Sequence, residues 1–378
     1  MERLIDLPTP CLVLDAVRMQ RNIDRMHDRA CTLGVMLRPH VKTSKSIDVA
    51  RHMLSGQARG ITVSTLLEAE YFADHGMADI FYAVPLSPDK VRRAALLLRR
   101  GIELLCCVHG LDAVQTIAEQ ADAHGVRVPL VIDVDVDHHR SGVESHDPAF
   151  LAMARAIHSS RSLELRGIMI YAGGSYDCTS HDEIAALTER IRLGGMVAAE
   201  RLVGAGLPCP VVSFGSSPGT YFARSMQGVT ESRAGVYVFQ DLFQAGLGAC
   251  TVDDIALSVL TTVIGSQAMQ ARVFVDAGGL ALSKDVSTRG SSFDAGFGLV
   301  CDAESGTVIP ELYVASVSQE VGTLRSRSGA LRTQAYAPGQ RLRVLPNHAC
   351  YTAAAHGEYA VTEGGDRVVA RWSRVNGW

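Results

Sequence analysis

The sequence contains no run of the roughly 18 uninterrupted apolar residues that a membrane helix needs, which excludes a helical membrane span. Its first residues, Met1-Glu-Arg-Leu-Ile-Asp-Leu-Pro-Thr-Pro10, lack the basic region and long apolar run of a secretory signal. Neither sign of charge prevails, since 36 Lys and Arg stand against 40 Asp and Glu for a formal net charge of −4. That balance offers no electrostatic footprint for nucleic acid or for an anionic membrane, and points to a small-molecule partner. Disulfide-type cysteine spacing is missing as well. The nine cysteines are odd in number and scattered, with only Cys106 and Cys107 adjacent, so a reducing cytoplasm is the expected location. Internal repeats, low-complexity tracts and long linkers are also lacking.

What is present is the composition of a soluble globular enzyme: 378 residues, 47% hydrophobic and 20% charged, with a slightly positive mean hydropathy. The length exceeds one ordinary hydrophobic core and predicts either a large α/β barrel with an appended domain or two separate domains. From about residue 30 to 240, short β-branched runs alternate with helical patterns, as in βα units around a parallel sheet. Strands are predicted at Val35–Pro39, Gly60–Ser64, Asp79–Val84, Ile102–Val108, Pro129–Val136, Leu165–Tyr171, Pro210–Phe214 and Gly235–Phe239. Helices are predicted at Leu66–His75, Pro88–Arg99, Asp112–His124, Pro148–His158 and Glu183–Val203, several after a Ser, Asp or Thr cap. The fold class is therefore α/β, a (β/α)₈ TIM barrel over residues 15–245.

After residue 250 the pattern becomes short and β-rich, at Ile255–Ile264, Arg272–Val275, Leu312–Val317, Arg341–Leu345, Tyr359–Val361 and Arg367–Arg371. These segments predict a second, mostly β domain over 246–378. Residues 1–14 join it through a strand at Cys11–Leu14.

A barrel of this kind does its chemistry at the C-terminal ends of its strands. There the sequence gathers His40 and Lys42 after the first strand, Arg140 after the fifth and Tyr171 at the end of the sixth. Gly215-Ser216-Ser217 follow the seventh, and Tyr237 lies on the eighth. Lys42, in Leu37-Arg-Pro-His-Val-Lys42, is either a solvated loop lysine or a desolvated amine of lowered pKa able to form an imine with an aldehyde cofactor. Val212-Ser-Phe-Gly-Ser-Ser-Pro-Gly-Thr220 is a plain loop or, in this position, a phosphate cradle. Asp133, Asp135 and Asp137 share one face of a strand. Interior carboxylates paired with Arg140 or other cations are the favoured reading over a metal cluster.

Late in the chain, Leu345-Pro-Asn-His-Ala-Cys350 places an imidazole and a thiol two residues apart, so that on an extended backbone both reach one ion. Nitrogen and sulfur favour zinc. With no CxxC and no second His/Cys pair nearby, such an ion keeps open, catalytic positions. The alternative is an ordinary histidine beside a small buried cysteine.

Taken together, the chain resembles the fold-type III pyridoxal-phosphate family of D-threonine aldolases, D-serine dehydratases and D-threo-3-hydroxyaspartate dehydratases, which shares its barrel with alanine racemase. The resemblance rests on Thr9-Pro-Cys-Leu-Val-Leu-Asp15, Leu37 to Lys42, Arg140-Ser-Gly-Val143, Tyr171, Gly215 to Ser217, Glu231-Ser-Arg-Ala-Gly-Val-Tyr237, Asp276-Ala-Gly278 and Pro346-Asn-His-Ala-Cys350. It implies pyridoxal 5'-phosphate on Lys42 as a Schiff base and phosphate binding by Gly215, Ser216, Ser217 and Gly235. Arg140 and Tyr171 would line the cofactor ring, with His40 and Tyr237 as further cofactor contacts. His348 and Cys350 would be ligands of a divalent metal, zinc above all. Family dehydratases resemble His-x-Cys here and aldolases His-x-Asp.

The expected activity is thus a metal-assisted lyase on D-3-hydroxy amino acids, favoured as a dehydratase yielding a 2-oxo acid and ammonia. Retro-aldol cleavage to glycine and an aldehyde is the alternative, and a racemase or a non-catalytic cofactor carrier are minor ones. A homodimer is expected. Many relatives read Glu-His-Gly where this chain has Glu320-Val321-Gly322, so the role of that histidine is not carried over.

Overall fold

The structure is a computed structural model that describes residues 2–56, 58–138, 140–291 and 293–378. Met1, Gln57, His139 and Ser292, which fall within the expected domain ranges, lie outside the described residues. The chain packs as two compact units, one of residues 25–235 with 377–378 and one of residues 1–24 with 236–376. From sequence the divisions were drawn at 14/15 and 245/246.

In chain order the strands begin with β1 (Cys11–Asp15), which belongs to the second unit. The first unit holds β2 (Met36–Leu37), β3 (Ile61–Val63), β4 (Asp79–Pro85), β5 (Glu103–Val108), β6 (Val128–Asp135), β7 (Val143–Glu144), β8 (Leu163–Tyr171), β9 (Val211–Gly215) and β10 (Glu231–Ser232). Eight of these form a sheet in the order β2-β10-β9-β8-β6-β5-β4-β3, with β7 attached to β6 off that path. Its two ends meet. Val41 N–H donates to Thr62 C=O at 2.9 Å and Thr62 N–H to Pro39 C=O at 2.8 Å, a parallel bridge of His40 with Thr62 that closes the ring. The result is the expected TIM-type barrel.

The strands read as near-continuous apolar runs because both faces are covered; β6, Val-Pro-Leu-Val-Ile-Asp-Val-Asp, is buried at all but its second and last residues. Inside the ring, Phe81, Cys107, Val131 and Met169 pack together. Helices start where capping side chains satisfy the first free N–H groups. Thr65 accepts from Glu68 N, Asp147 from Ala149 N before Pro148, and Ser180 from Glu183 N at the head of His181–Gly204.

One barrel strand differs from the sequence reading. The eighth is Glu231–Ser232, and Val236–Val238, predicted as strand, is a 3₁₀ turn. The β-branched Val-Tyr-Val run drew the assignment forward, whereas register with Met36 and Ser213 is held by the polar Glu231 and Ser232.

The second unit contains β1 and β11 (Leu257–Gln267), β12 (Arg272–Val275), β13 (Leu299–Asp302), β14 (Val308–Val317), β15 (Gly322–Ser326), β16 (Arg341–Leu345), β17 (Glu358–Thr362) and β18 (Ala370–Ser373). The order is β12-β15-β14-β13-β16-β11-β1-β17-β18, and β12 also pairs with β11. β11 to β16 therefore close on themselves in an antiparallel, barrel-like ring. β1 adds antiparallel to β11 and parallel to β17, as its apolar run predicted. β13 and β15 were not foreseen, and the predicted Arg367–Arg371 strand lies at Ala370–Ser373. Among the described residues, hydrophobic clusters in the unit gather around Leu4, Leu7, Val13 and Leu260 and around Leu242, Ile255, Cys301 and Leu345. Among the described residues no helix is long and apolar enough to cross a membrane, and no disulfide joins any of the cysteines.

Candidate active site

In the barrel unit a cleft is lined by His40, Lys42, Ser64, Asp133, Arg140, Tyr171, Gly215 and Arg233 among others. Each of these follows or ends a strand except Asp133, which lies near the end of β6. The extended segment after β2 is held on one side by bonds from Arg38 N and His40 N to the carbonyls of Ser232 and Ala234, and on the other by Thr62. Lys42 therefore leaves the barrel from a rigid stem, and its own N–H donates to His40 Nδ1 at 3.4 Å. Burial holds the His40 imidazole well below its usual pKa, and the cations of Lys42, Arg233 and Arg140 push the same way, so the ring is neutral. Arg140 stacks its guanidinium over Tyr171, 4.7 Å from the ring centroid.

Glycine is required twice. A Cβ on Gly215 would stand 2.6 Å from the Tyr171 ring, and one on Gly235 would stand 2.9 Å from His40 Cβ and carbonyl oxygen. Ser216 Oγ accepts from Gly219 N at 3.1 Å and meets Ser175 Oγ at 2.9 Å, while Ser217 Oγ accepts from Gly235 N at 3.1 Å. Gly215, Ser216 and Ser217 thus form a buried turn that Gly235 joins from another segment. Tyr237 is wholly buried in the 3₁₀ turn Val236–Val238, within the other unit, and not on a barrel strand as predicted.

Arg233 was missed from sequence because the misplaced eighth strand hid its position just beyond a strand end. It is 5% exposed. Burial lowers its pKa to about 10, although Glu231, Cys107 and Asp133 favour the charge. Its guanidinium donates to Ser213 Oγ and to the Ile170 carbonyl at 3.1 Å. Ser213 in turn donates to Glu231 at 2.6 Å, and Glu231 accepts from Arg38 at 2.7 Å, so a polar chain crosses the barrel interior.

Asp133, Asp135 and Asp137 do line the same cleft. Asp133 accepts from Ser141 at 2.9 Å; burial raises its pKa, while Ser141, Arg233 and Arg140 oppose that. Asp137 accepts from Gly174 N at 3.1 Å. Among the described residues no group of three or more His, Cys, Asp or Glu has metal-holding geometry.

The second predicted group lies in the β-rich unit. His348 is extended (φ −133°, ψ 106°) and precedes the short helix Ala349–Ala354, so Cys350 sits in a first helical turn and not on an extended chain. The two side chains still meet. Burial disfavours the His348 cation, yet the hydrogen bond to Cys350, its charge, and the nearby Asp241 and Asp285 raise the imidazole pKa to about 9. An electronegative environment with one nitrogen and one sulfur donor fits a divalent cation. The Tyr351 ring lies 4.4 Å from that of His348. Thr9 and Asp276, part of the resemblance, do other work: Asp276 accepts from Thr9 at 2.6 Å and Thr261 at 2.7 Å, tying β1 to the sheet.

Residues 14–242 match the alanine racemase N-terminal domain family and residues 256–362 the putative serine dehydratase domain family. The chain is 45% identical over 381 residues to a D-threo-3-hydroxyaspartate dehydratase of Delftia sp., with all of both chains covered. It is 30% identical over 399 residues to a D-serine dehydratase of Dictyostelium discoideum, covering 99% of this chain and 98% of that one. The solved structure of the Delftia enzyme has a TM-score of 0.96 at 44% identity over the whole of both chains. A cysteine-to-alanine variant of D-threo-3-hydroxyaspartate dehydratase, equally similar, was solved in a metal-free form. A D-threonine aldolase from Filomicrobium marinum has a TM-score of 0.83 at 25% identity, over 98% of this chain and 96% of that one. With both domain families matched across nearly the whole length, the chain belongs to the pyridoxal-phosphate-dependent lyase family of D-serine dehydratases and D-threonine aldolases, built on the alanine racemase-type barrel.

Proposed function

We propose that the protein is a metal-assisted dehydratase of D-3-hydroxy amino acids, of which D-threo-3-hydroxyaspartate and D-serine are the first candidates, releasing a 2-oxo acid and ammonia. The observation that carries the choice of reaction is the contact between His348 and Cys350. A thiolate beside an imidazole is a zinc-type donor pair, softer than the carboxylate that family aldolases offer at this position.

The cofactor fits the barrel cleft on this chain's own features: an amine at Lys42, the buried cation of Arg233, and a glycine at Gly215 where a side chain would meet the Tyr171 ring. Lys42 would hold pyridoxal phosphate through its Nζ, with Gly215, Ser216, Ser217 and Gly235 at the phosphate and Arg140, Tyr171 and His40 beside the ring. Bound there, pyridoxal phosphate supplies an electron sink for the charge left at the substrate Cα. A divalent ion on His348 and Cys350 supplies a Lewis acid for the β-hydroxyl.

Lys42 Nζ, at the cleft, takes the Cα proton as a general base. His40, neutral, adds no competing acid next to that amine. Arg233 and Asp133 place a guanidinium and a carboxyl group within the cleft, and Arg140 over Tyr171 closes one wall by stacking. The enamine leaving this sequence collapses with water to the 2-oxo acid and ammonia.

Incubation with D-serine, D-threonine and D-threo-3-hydroxyaspartate, with ammonia and 2-oxo acid assayed against glycine, tests the proposal. Ammonia and 2-oxo acid in equal amounts are the expected products. Glycine with an aldehyde as the main product overturns the dehydratase assignment in favour of retro-aldol cleavage.

A further inference from the structure

A metal held by only two protein side chains depends on how firmly those two are presented. Zinc-type bonds need nitrogen at about 2.0–2.1 Å and sulfur at about 2.3 Å, and a flexible turn bearing both ligands loses affinity to its own motion. The turn from Pro346 to Ala349 is bonded at nearly every residue, from two sides. On one side stands Asp241, 1% exposed, whose Oδ2 accepts from Ala349 N, the amide between the two ligands, at 3.0 Å. Its Oδ1 accepts from Gln244 N at 2.9 Å and so caps the short helix Leu242–Gly246. The first amides of that helix reach the same turn, Leu242 N to Pro346 C=O at 3.0 Å and Phe243 N to Asn347 C=O at 3.2 Å.

On the other side Asn347, 2% exposed, uses its whole carboxamide. Its Oδ1 accepts from Thr288 Oγ1 at 2.8 Å, and its Nδ2 donates to the carbonyls of Asp285 at 3.0 Å and Gly296 at 2.6 Å. These bonds reach both the loop that holds Asp285 and Thr288 and the turn at Gly296, so a shift of Asn347 would break several at once.

We infer that Asp241 and Asn347 are positioning residues that clamp the His348–Cys350 turn from opposite sides and set the affinity and geometry of the metal it binds. The inference rests on the reading of His348 and Cys350 as metal ligands. Asp241 contributes by hydrogen bonds that fix the peptide between the ligands and the helix Leu242–Gly246 beside it, with its carboxyl group close to His348. Groups that orient ligands from behind in this way typically account for 10–100-fold in metal affinity.

The test is cobalt(II) titration of the chelator-treated, cofactor-loaded protein, followed by the thiolate-to-cobalt charge-transfer band and the visible d–d bands. Asp241→Asn keeps the shape but removes the carboxyl group and one acceptor, and Thr288→Val removes one of the three bonds that hold the Asn347 carboxamide, together with the acceptor for Ala295 N, with little change in volume. Both are expected to bind cobalt 10–100-fold more weakly and with shifted d–d bands, while the far-UV circular dichroism and the cofactor absorbance stay as in the parent. Wild-type affinity and spectrum in both variants overturns the inference, as does a lower melting temperature with cobalt binding intact. If Asp241→Asn does not fold, Thr288→Val decides alone. Failure of the underlying ligand assignment looks different: the parent protein would show no thiolate band, and His348→Ala would bind cobalt as the parent does.

Discussion

His40 shows how one buried side chain carries a pH signature. Burial, followed by the cations of Lys42, Arg233 and Arg140, keeps its folded-state pKa well below the ordinary value of about 6.5. The unfolded chain therefore binds a proton that the folded chain refuses, and stability present above about pH 6.5 is lost as the pH falls. Urea unfolding of the cofactor-free protein is expected to weaken between about pH 7 and pH 5, by up to about 1.4 kcal/mol per pH unit for one proton. His40→Asn should flatten that slope in part, since His356, also lowered by burial, retains its share. An unchanged slope in the variant would show that the ring is not the proton-refusing group. At this scale the sequence disclosed the residues whose chemistry is distinctive, Lys42, His348 and Cys350. Arg233 and Asp241 escaped, because arginine and aspartate are common surface residues and only burial makes them unusual.

Elements were legible where an apolar period and a cap coincided. Ser180 before Glu183 announces the helix His181–Gly204, and in the structure Ser180 Oγ accepts from Glu183 N at 3.2 Å while Glu183 accepts from Thr179 N at 2.7 Å. Ser180→Ala is expected to cost about 1 kcal/mol in denaturant unfolding with unchanged slope, and no loss of stability would show that the cap is redundant. Strands without an apolar signature were harder. β15, Gly-Thr-Leu-Arg-Ser, and β10, Glu-Ser, are defined by their pairing partners, Arg272–Val275 and Val308–Val317 for the first and Met36–Leu37 with β9 for the second. A local window contains none of those partners.

For the whole molecule, cofactor and metal are assigned to separate groups of residues, so they should be separable in solution. Removing the metal with EDTA is expected to abolish dehydration while leaving the cofactor absorbance and the folded state in place, and zinc should restore turnover. Loss of colour together with the metal would mean that the two sites are not independent. Activity that survives metal removal would dismiss the Lewis-acid role of His348 and Cys350.

The amino-acid order alone determined the α/β alternation, the change to β-rich texture after residue 250, and which amine and which nitrogen–sulfur pair stand as candidates. These are properties of neighbouring residues: side-chain period, caps, and donor types two positions apart. The tertiary structure decided the rest. Closure of the barrel at His40 and Thr62, the polar chain from Arg233 through Ser213 and Glu231 to Arg38, and the grip of Asp241 on Ala349 each join segments far apart in the chain. Desolvation and buried hydrogen bonds act between atoms that folding alone brings within 3 Å, and those forces select which ordinary residues become functional ones.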